Sequence, residues 1–109
     1  MSDNFSNATF EGKVSSSPVT RKTKTDKNVT TFNLFIKHHS DDGSFPKASC
    51  IDVEAWDKLA IMSQEKININ MEIMVFGQLR QDRWEGKDGK TKSRIKIIAN
   101  EIRIQEQKQ

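Results

Sequence analysis

The segment Met71–Arg103, MEIMVFGQLRQDRWEGKDGKTKSRIKIIANEIR, leaves this chain few folds to choose from. It reads as two long β-strands folded back about Glu85-Gly86-Lys87-Asp88-Gly89-Lys90. An Asp-Gly step with a second glycine nearby supplies the positive φ that a hairpin turn needs. On the outgoing strand Ile73, Val75, Gly77 and Leu79 share one face, and Met74, Phe76, Gln78, Arg80, Asp82 and Trp84 the other. The return strand sets Ile95 and Ile97 against Arg94, Lys96 and Ile98. Between Gly77 and Lys96, seven Lys/Arg stand against three Asp/Glu, with a tryptophan near the tip. A basic ribbon of this kind suits a phosphate chain, and its ring suits a flat base.

The rest of the chain supplies three shorter strands. Thr9 to Val14 alternates, with Phe10, Gly12 and Val14 on one face; the glycine suits a bend or bulge. Ser15-Ser16-Ser17-Pro18 ends or kinks this strand, and the basic segment 21–27 is a loop or hairpin tip. Val29 to Lys37 is the second strand, with Thr30, Phe32, Leu34 and Ile36 in one stripe. Turn residues fill His38 to Pro46, and Lys47 to Trp56 is the third strand. There Ile51, Val53 and Ala55 face inward, and Cys50, Asp52, Glu54 and Trp56 outward. Asp57 is placed to cap a short helix, DKLAIMSQEK, and the Asn68-Ile69-Asn70 stretch turns the chain into the long hairpin. Ile95/Ile97 and Ile102/Ile104 differ in parity, which predicts a bulge near Ala99-Asn100. The expected core is Phe32, Leu34, Ile51, Val53, Ile73, Val75, Leu79, Ile95 and Ile97. Five strands with one short helix between the third and fourth is the plan of the OB-fold, a small all-β Greek-key barrel.

A chain of 109 residues holds one such domain, expected over 1–105 with a short polar tail at 106–109. Hydrophobic content of 34%, charged content of 30% and a mean hydropathy of −0.73 fit a hydrophilic protein with a modest core. No apolar run approaches the roughly 20 residues of a membrane span, and no membrane partner is expected. The N-terminus has neither a secretory nor a transit pattern, which makes the cytoplasm the expected compartment. The single cysteine, Cys50, excludes an internal disulfide and any multi-thiolate metal site within one chain. Net charge is only +3, but the long hairpin carries +4 and the segment Arg21–Lys27 carries +3. One such cluster is more often a solvated loop than a site. Two of them with aromatic rings alongside point to a polyanion binder.

Enzymatic readings find little support, and neither a catalytic residue nor a cofactor is expected. His38-His39 with Asp41 and Asp42 falls in a turn-rich segment with no scaffold to hold ligands. Cys50 has no evident base, and no phosphate-cradling glycine loop occurs.

At this point several short motifs line up in order. They are Gly12 followed by Pro18, Thr31-Phe32-Asn33-Leu34, Trp56-Asp57-Lys58-Leu59-Ala60, and Phe76-Gly77-Gln78-Leu79-Arg80 followed by Trp84 and Asp88-Gly89. In this order and spacing the chain resembles the bacterial single-stranded-DNA-binding protein family over essentially its whole length. The resemblance implies non-catalytic binding of single-stranded DNA in replication, recombination and repair, in the nucleoid-associated cytoplasm. It also implies homo-oligomers, a tetramer before a dimer, and replication or restart proteins as further partners. Family aromatics that stack on bases fall at Trp56 and Trp84. Two further family aromatics fall at Cys50 and near Ser40, where none stands here; Phe35, Phe45 and the His38-His39 pair are the available substitutes. Family members carry a Gly/Gln-rich linker and an acidic tip, whereas this sequence reads Gln105-Glu106-Gln107-Lys108-Gln109 at its end. It is either a shortened piece of such a chain or a short paralogue, as in the PriB-type restart proteins. In that second case the main ligand would be a protein.

The expected stacking residues are therefore Trp56, Trp84 and Phe35. Phosphate contacts are expected from Arg80, Arg83, Lys87, Lys90, Lys92, Arg94 and Lys96 on the hairpin, and from Arg21, Lys22, Lys24 and Lys27 on the other loop. Arg80 shares a face with Trp84 and is the leading basic candidate. Asp52 and Glu54 flank Trp56 on its own face, where they either repel phosphates or pair with a basic neighbour.

Overall fold

A computed structural model describes residues 7–38 and 48–105. The elements in chain order are β1 (Ala8–Val14), β2 (Val19–Lys22), β3 (Asn28–Lys37), β4 (Ala48–Trp56), α1 (Lys58–Lys66), β5 (Glu72–Glu85) and β6 (Thr91–Ile104). Phe5, His39, Ser40, Asp41, Asp42, Phe45 and the tail 106–109 lie outside the described residues.

The long hairpin forms where its sequence places it. Gly86 N donates to Lys90 O, Gly89 N to Gly86 O, and Gly89 takes φ 79° at the tip. The parity slip on β6 is a bulge as predicted: Phe76 faces Glu101 and Gly77 faces Ala99, leaving Asn100 as the extra residue. β1 pairs antiparallel with β5, β5 with β6, β4 with β3, and β6 runs parallel to β4. The ladder Lys13↔Phe35 and Val14↔Leu34 between β1 and β3 closes these five strands into a ring. This is the OB-fold order, with the helix between β4 and β5.

Two features refine the sequence reading. The Ser15–Pro18 break splits the first strand in two, and β2 is a separate segment paired with β3 from Val19↔Thr31 to Lys22↔Asn28. Arg21 and Lys22 are therefore in a strand, and only Thr23–Lys27 forms the tip, closed by Thr23 N to Lys27 O. Gly12 lies where β1 swings from β5 to β3, with room for no side chain: a Cβ would meet Phe35 O at 2.4 Å.

The core gathers Val14, Phe32, Leu34, Val53, Ile73, Val75 and Ile97 with Ala55, Ile67, Ala99 and Ile102. Ile51 is only partly buried against it. Leu79 and Ile95, expected inside, are instead 51% and 53% exposed. The pairing explains why. β1 covers β5 only as far as Gly77, and β4 covers β6 only over Lys96–Ile98. Beyond those points the hairpin is a bare two-stranded ribbon, and its inward parity faces water.

Asp57 does not cap α1 with its side chain, as its sequence suggests it should. It sits at φ 56°, ψ −122°, a region that glycine occupies freely and a Cβ does not. Its backbone N–H donates to Asn28 O, and this bond fixes the turn from β4 into the helix. Such strain costs about 1–3 kcal/mol, against the ~0.4–1 kcal/mol that a glycine adds to unfolded-chain entropy. Asp57→Gly is therefore expected to stabilise the fold by about 1 kcal/mol, a rise of several degrees in melting temperature. An unchanged or lower melting temperature would show that this turn is unstrained.

Candidate nucleic-acid interface

The outward rows of the sheet are set by register. Asn33, Asp52, Lys96 and Arg80 lie side by side across β3, β4, β6 and β5, and Thr31, Glu54, Ile98 and Gln78 form the next row. Further along the ribbon Asp82 faces Arg94, and Trp84 faces Lys92. From these rows Asn33, Asp52, Lys96, Thr31 and Glu54, with Asp82, Arg94 and Trp84, line a groove of about 740 Å³. One side is the outer face of the ribbon, including Trp84; the other is Ser16, Ser17, Val19 and Arg21.

Trp84 is 45% exposed, so its indole is open to a ligand. Lys92 is exposed opposite it. Arg80 is exposed on the same face and, among the described residues, makes no ion pair. Trp56 is partly buried at the end of β4, outside the groove lining, with Nε1 donating to Glu54 Oε1 at 2.6 Å. Phe35 is partly buried and lines a different depression, with Glu11, Lys13, Lys37 and Glu72, while Cys50 lies exposed opposite it. The structure therefore brings Trp84 to the groove, sets Trp56 at its margin and leaves Phe35 elsewhere.

The basic candidates separate in the same way. Arg21 lines the groove, whereas Lys24 and Lys27 are exposed in the β2–β3 tip and Lys22 pairs with the exposed Asp26 at 3.3 Å. Lys87 and Lys90 are exposed in the β5–β6 turn. Arg83 has the opposite parity to Trp84 and donates to Gln81 on the far face of the ribbon. Arg94 pairs with Asp52 at 3.5 Å, an exposed contact worth at most about 1 kcal/mol.

Lys96 behaves differently. Its ammonium is largely covered and donates to Glu54 Oε2 and Asp82 Oδ2, both at 2.8 Å. Burial opposes the charge, yet the bonds to Asp82 and Glu54 and their negative charge outweigh it and raise the pKa above the ordinary lysine value of 10.5. Asp52 and Glu54 therefore pair with basic neighbours. In the groove three basic groups (Arg21, Arg94, Lys96) meet three carboxylates (Asp52, Glu54, Asp82), so its floor is close to neutral. The sequence contains no local signal for this lattice, because Lys96 and Glu54 stand 42 residues apart. Ser16 and Ser17, noted only as a strand break, were missed as groove residues.

A five-stranded OB ring with an open tryptophan and exposed basic side chains beside one groove defines a class of nucleic-acid-binding modules. The chain belongs to the single-strand binding protein family, whose model matches residues 5–105. It is similar to a single-stranded DNA-binding protein of Aquifex aeolicus (strain VF5), 29% identical over 96 residues. That match covers 85% of this chain and 65% of the relative, so the chain spans a little under two thirds of the relative's length. The fold is similar to that in a Plasmodium falciparum SSB complex with ssDNA, with a TM-score of 0.85 at 16% identity. That likeness covers 97% of this chain and 99% of the other. Among the described residues no helix is long and apolar enough to cross a membrane, and no group of three or more His, Cys, Asp or Glu could hold a metal ion.

Proposed function

We propose that this protein binds single-stranded DNA without catalysis, stacking bases on Trp84 and Trp56 and holding phosphates with the ribbon's basic side chains. The observation that carries the reading is the open indole of Trp84 on the groove wall, with exposed Lys92 across the strand from it and exposed Arg80 further along the same face of the ribbon. The Aquifex relative and the Plasmodium complex bear names that point the same way. Stacking tolerates any base, so the protein coats DNA with little sequence preference and serves replication, recombination and repair. Its setting is the nucleoid-associated cytoplasm. It acts as a homo-oligomer, a tetramer before a dimer; the exposed Leu79 and Ile95 give the ribbon apolar area for a second copy.

The test is titration of intrinsic tryptophan fluorescence with oligo(dT) at several salt concentrations. Quenching is expected, with log K falling against log salt by about 0.7 for each phosphate contact. Arg80→Gln is expected to flatten that slope by about 0.7, one contact. Absence of quenching, or a salt-independent affinity, would overturn the proposal.

A further inference from the structure

Glu54 points outward from β4, where a strand side chain of this sheet meets water, yet it is only 7% exposed. Each of its two oxygens accepts one bond. Oε1 accepts from Trp56 Nε1 at 2.6 Å, and Oε2 accepts from Lys96 Nζ at 2.8 Å. Lys96 in turn donates to Asp82 on the ribbon, so one chain of bonds runs Trp56–Glu54–Lys96–Asp82 across β4, β6 and β5. The indole has one polar atom, and a bond to it fixes the plane of the ring. An ammonium held between two carboxylates has its charge balanced within the protein. Held away from the phosphates, it releases none of the cations condensed on a nucleic-acid strand.

From this we infer that Glu54 is a positioning residue of the interface, fixing the plane of Trp56 with one oxygen and withholding Lys96 from phosphates with the other. The inference rests on the proposed binding of single-stranded DNA and assigns that site's division of labour. Phosphates are held by Arg80 and Lys92, outside the lattice, while the neutral floor of the groove takes bases. Lys96, although basic and on the right face, adds nothing to the salt dependence.

The experiment uses oligo(dT) titrations at several salt concentrations on the wild type, Glu54→Gln, Glu54→Ala and Lys96→Gln. The two Glu54 variants are repeated in a Trp84→Phe background, where Trp56 is the sole indole, with Trp84→Phe alone as their reference. Glu54→Gln keeps an acceptor for Nε1 but removes one of the two carboxylates that hold Lys96, leaving only the half-exposed Asp82, whose surface ion pair is weak enough for a phosphate to compete. Quenching of Trp56 is retained and the salt slope steepens by about 0.7, because Lys96 now reaches a phosphate. Glu54→Ala also frees the indole, lowering its fluorescence anisotropy and weakening binding roughly two- to twelvefold, the cost of ordering one side chain. Lys96→Gln leaves the salt slope unchanged. A wild type that does not bind removes the functional reading itself. With a wild type that binds, a slope flattened by about 0.7 in Lys96→Gln, or an unaltered slope in Glu54→Gln, overturns the inference alone. Should Glu54→Ala fail to fold, the two glutamine variants decide the matter.

Discussion

Trp84→Ala is expected to weaken single-stranded DNA binding by about 1–3 kcal/mol, roughly 5- to 150-fold. That magnitude is characteristic of single-strand-binding OB-folds as a class, this family included, and is taken over here. What the structure adds is the reason to expect it at this residue. Trp84 lies on a two-stranded ribbon beyond the reach of β1 and β4, and nearly half its surface is open. Its cross-strand neighbours are Lys92 and, one pair further on, the Asp82↔Arg94 pair, none of them a member of the core. A base stacked on the indole therefore gains the contact that the protein leaves unmade. For the same reason the truncation should change folding stability by no more than about 0.5 kcal/mol. Equilibrium titrations at fixed salt, paired with thermal melts, separate the two roles. A stability loss without an affinity loss would return Trp84 to ordinary packing.

Much of this arrangement is legible in the sequence, and what is not has a common physical cause. Period-two alternation placed β1, β3, β4, β5 and β6 within two residues, because a half-buried sheet imposes its pleat on the pattern, but it missed the short β2. The bulge at Asn100 was visible as a parity slip, and the turn marked by Asn68-Ile69-Asn70 is made with Asn70 in the left-handed conformation, φ 76°. Leu79 and Ile95 were misplaced because alternation reports which way a side chain faces, not whether anything covers that face. Only the ends of the β1–β5 and β4–β6 ladders reveal this. The charge lattice was hidden for a related reason. Asp52 and Glu54 look like liabilities for a phosphate binder until the parallel pairing of β4 with β6 sets Lys96 beside them. Counting basic residues along the hairpin therefore overstated the number that stand unpaired on Trp84's face: seven are in the sequence, but Lys96 and Arg94 are paired and Arg83 is on the opposite face.

Gly77→Ala is expected to destabilise the fold by about 3 kcal/mol or more, the upper end of what overpacking costs. Gly77 is fully within the ring, between Ala8 on β1 and Ala99 on β6, at the point where the bulge re-aims β6. A Cβ there would sit 2.1 Å from Ile98 O, 2.9 Å from Ile98 C and 3.0 Å from Ala99 Cα. All three are backbone atoms, so no rotamer change relieves the contact. Nor can the strand retreat, since β6 is held from its other side by β4 through Val53↔Ile97 and Glu54↔Ile98. The ladder between β5 and β6 must open where the ribbon leaves the ring. The same substitution at Gly86 makes a useful contrast, because a Cβ there meets only the flexible ends of Lys92 and Asp88. Gly86→Ala should melt within about 0.5 kcal/mol of the wild type. Gly77→Ala should fall more than 10 °C below it, taking roughly 4–8 °C per kcal/mol for a domain of this size. Because the displaced segment carries Arg80 and Trp84, the variant should also bind oligo(dT) more weakly at temperatures where it remains folded. Equal melting temperatures for the two variants would mean that β5 and β6 do not approach so closely at the bulge. The direction given to the ribbon, and with it the groove, would then need redrawing.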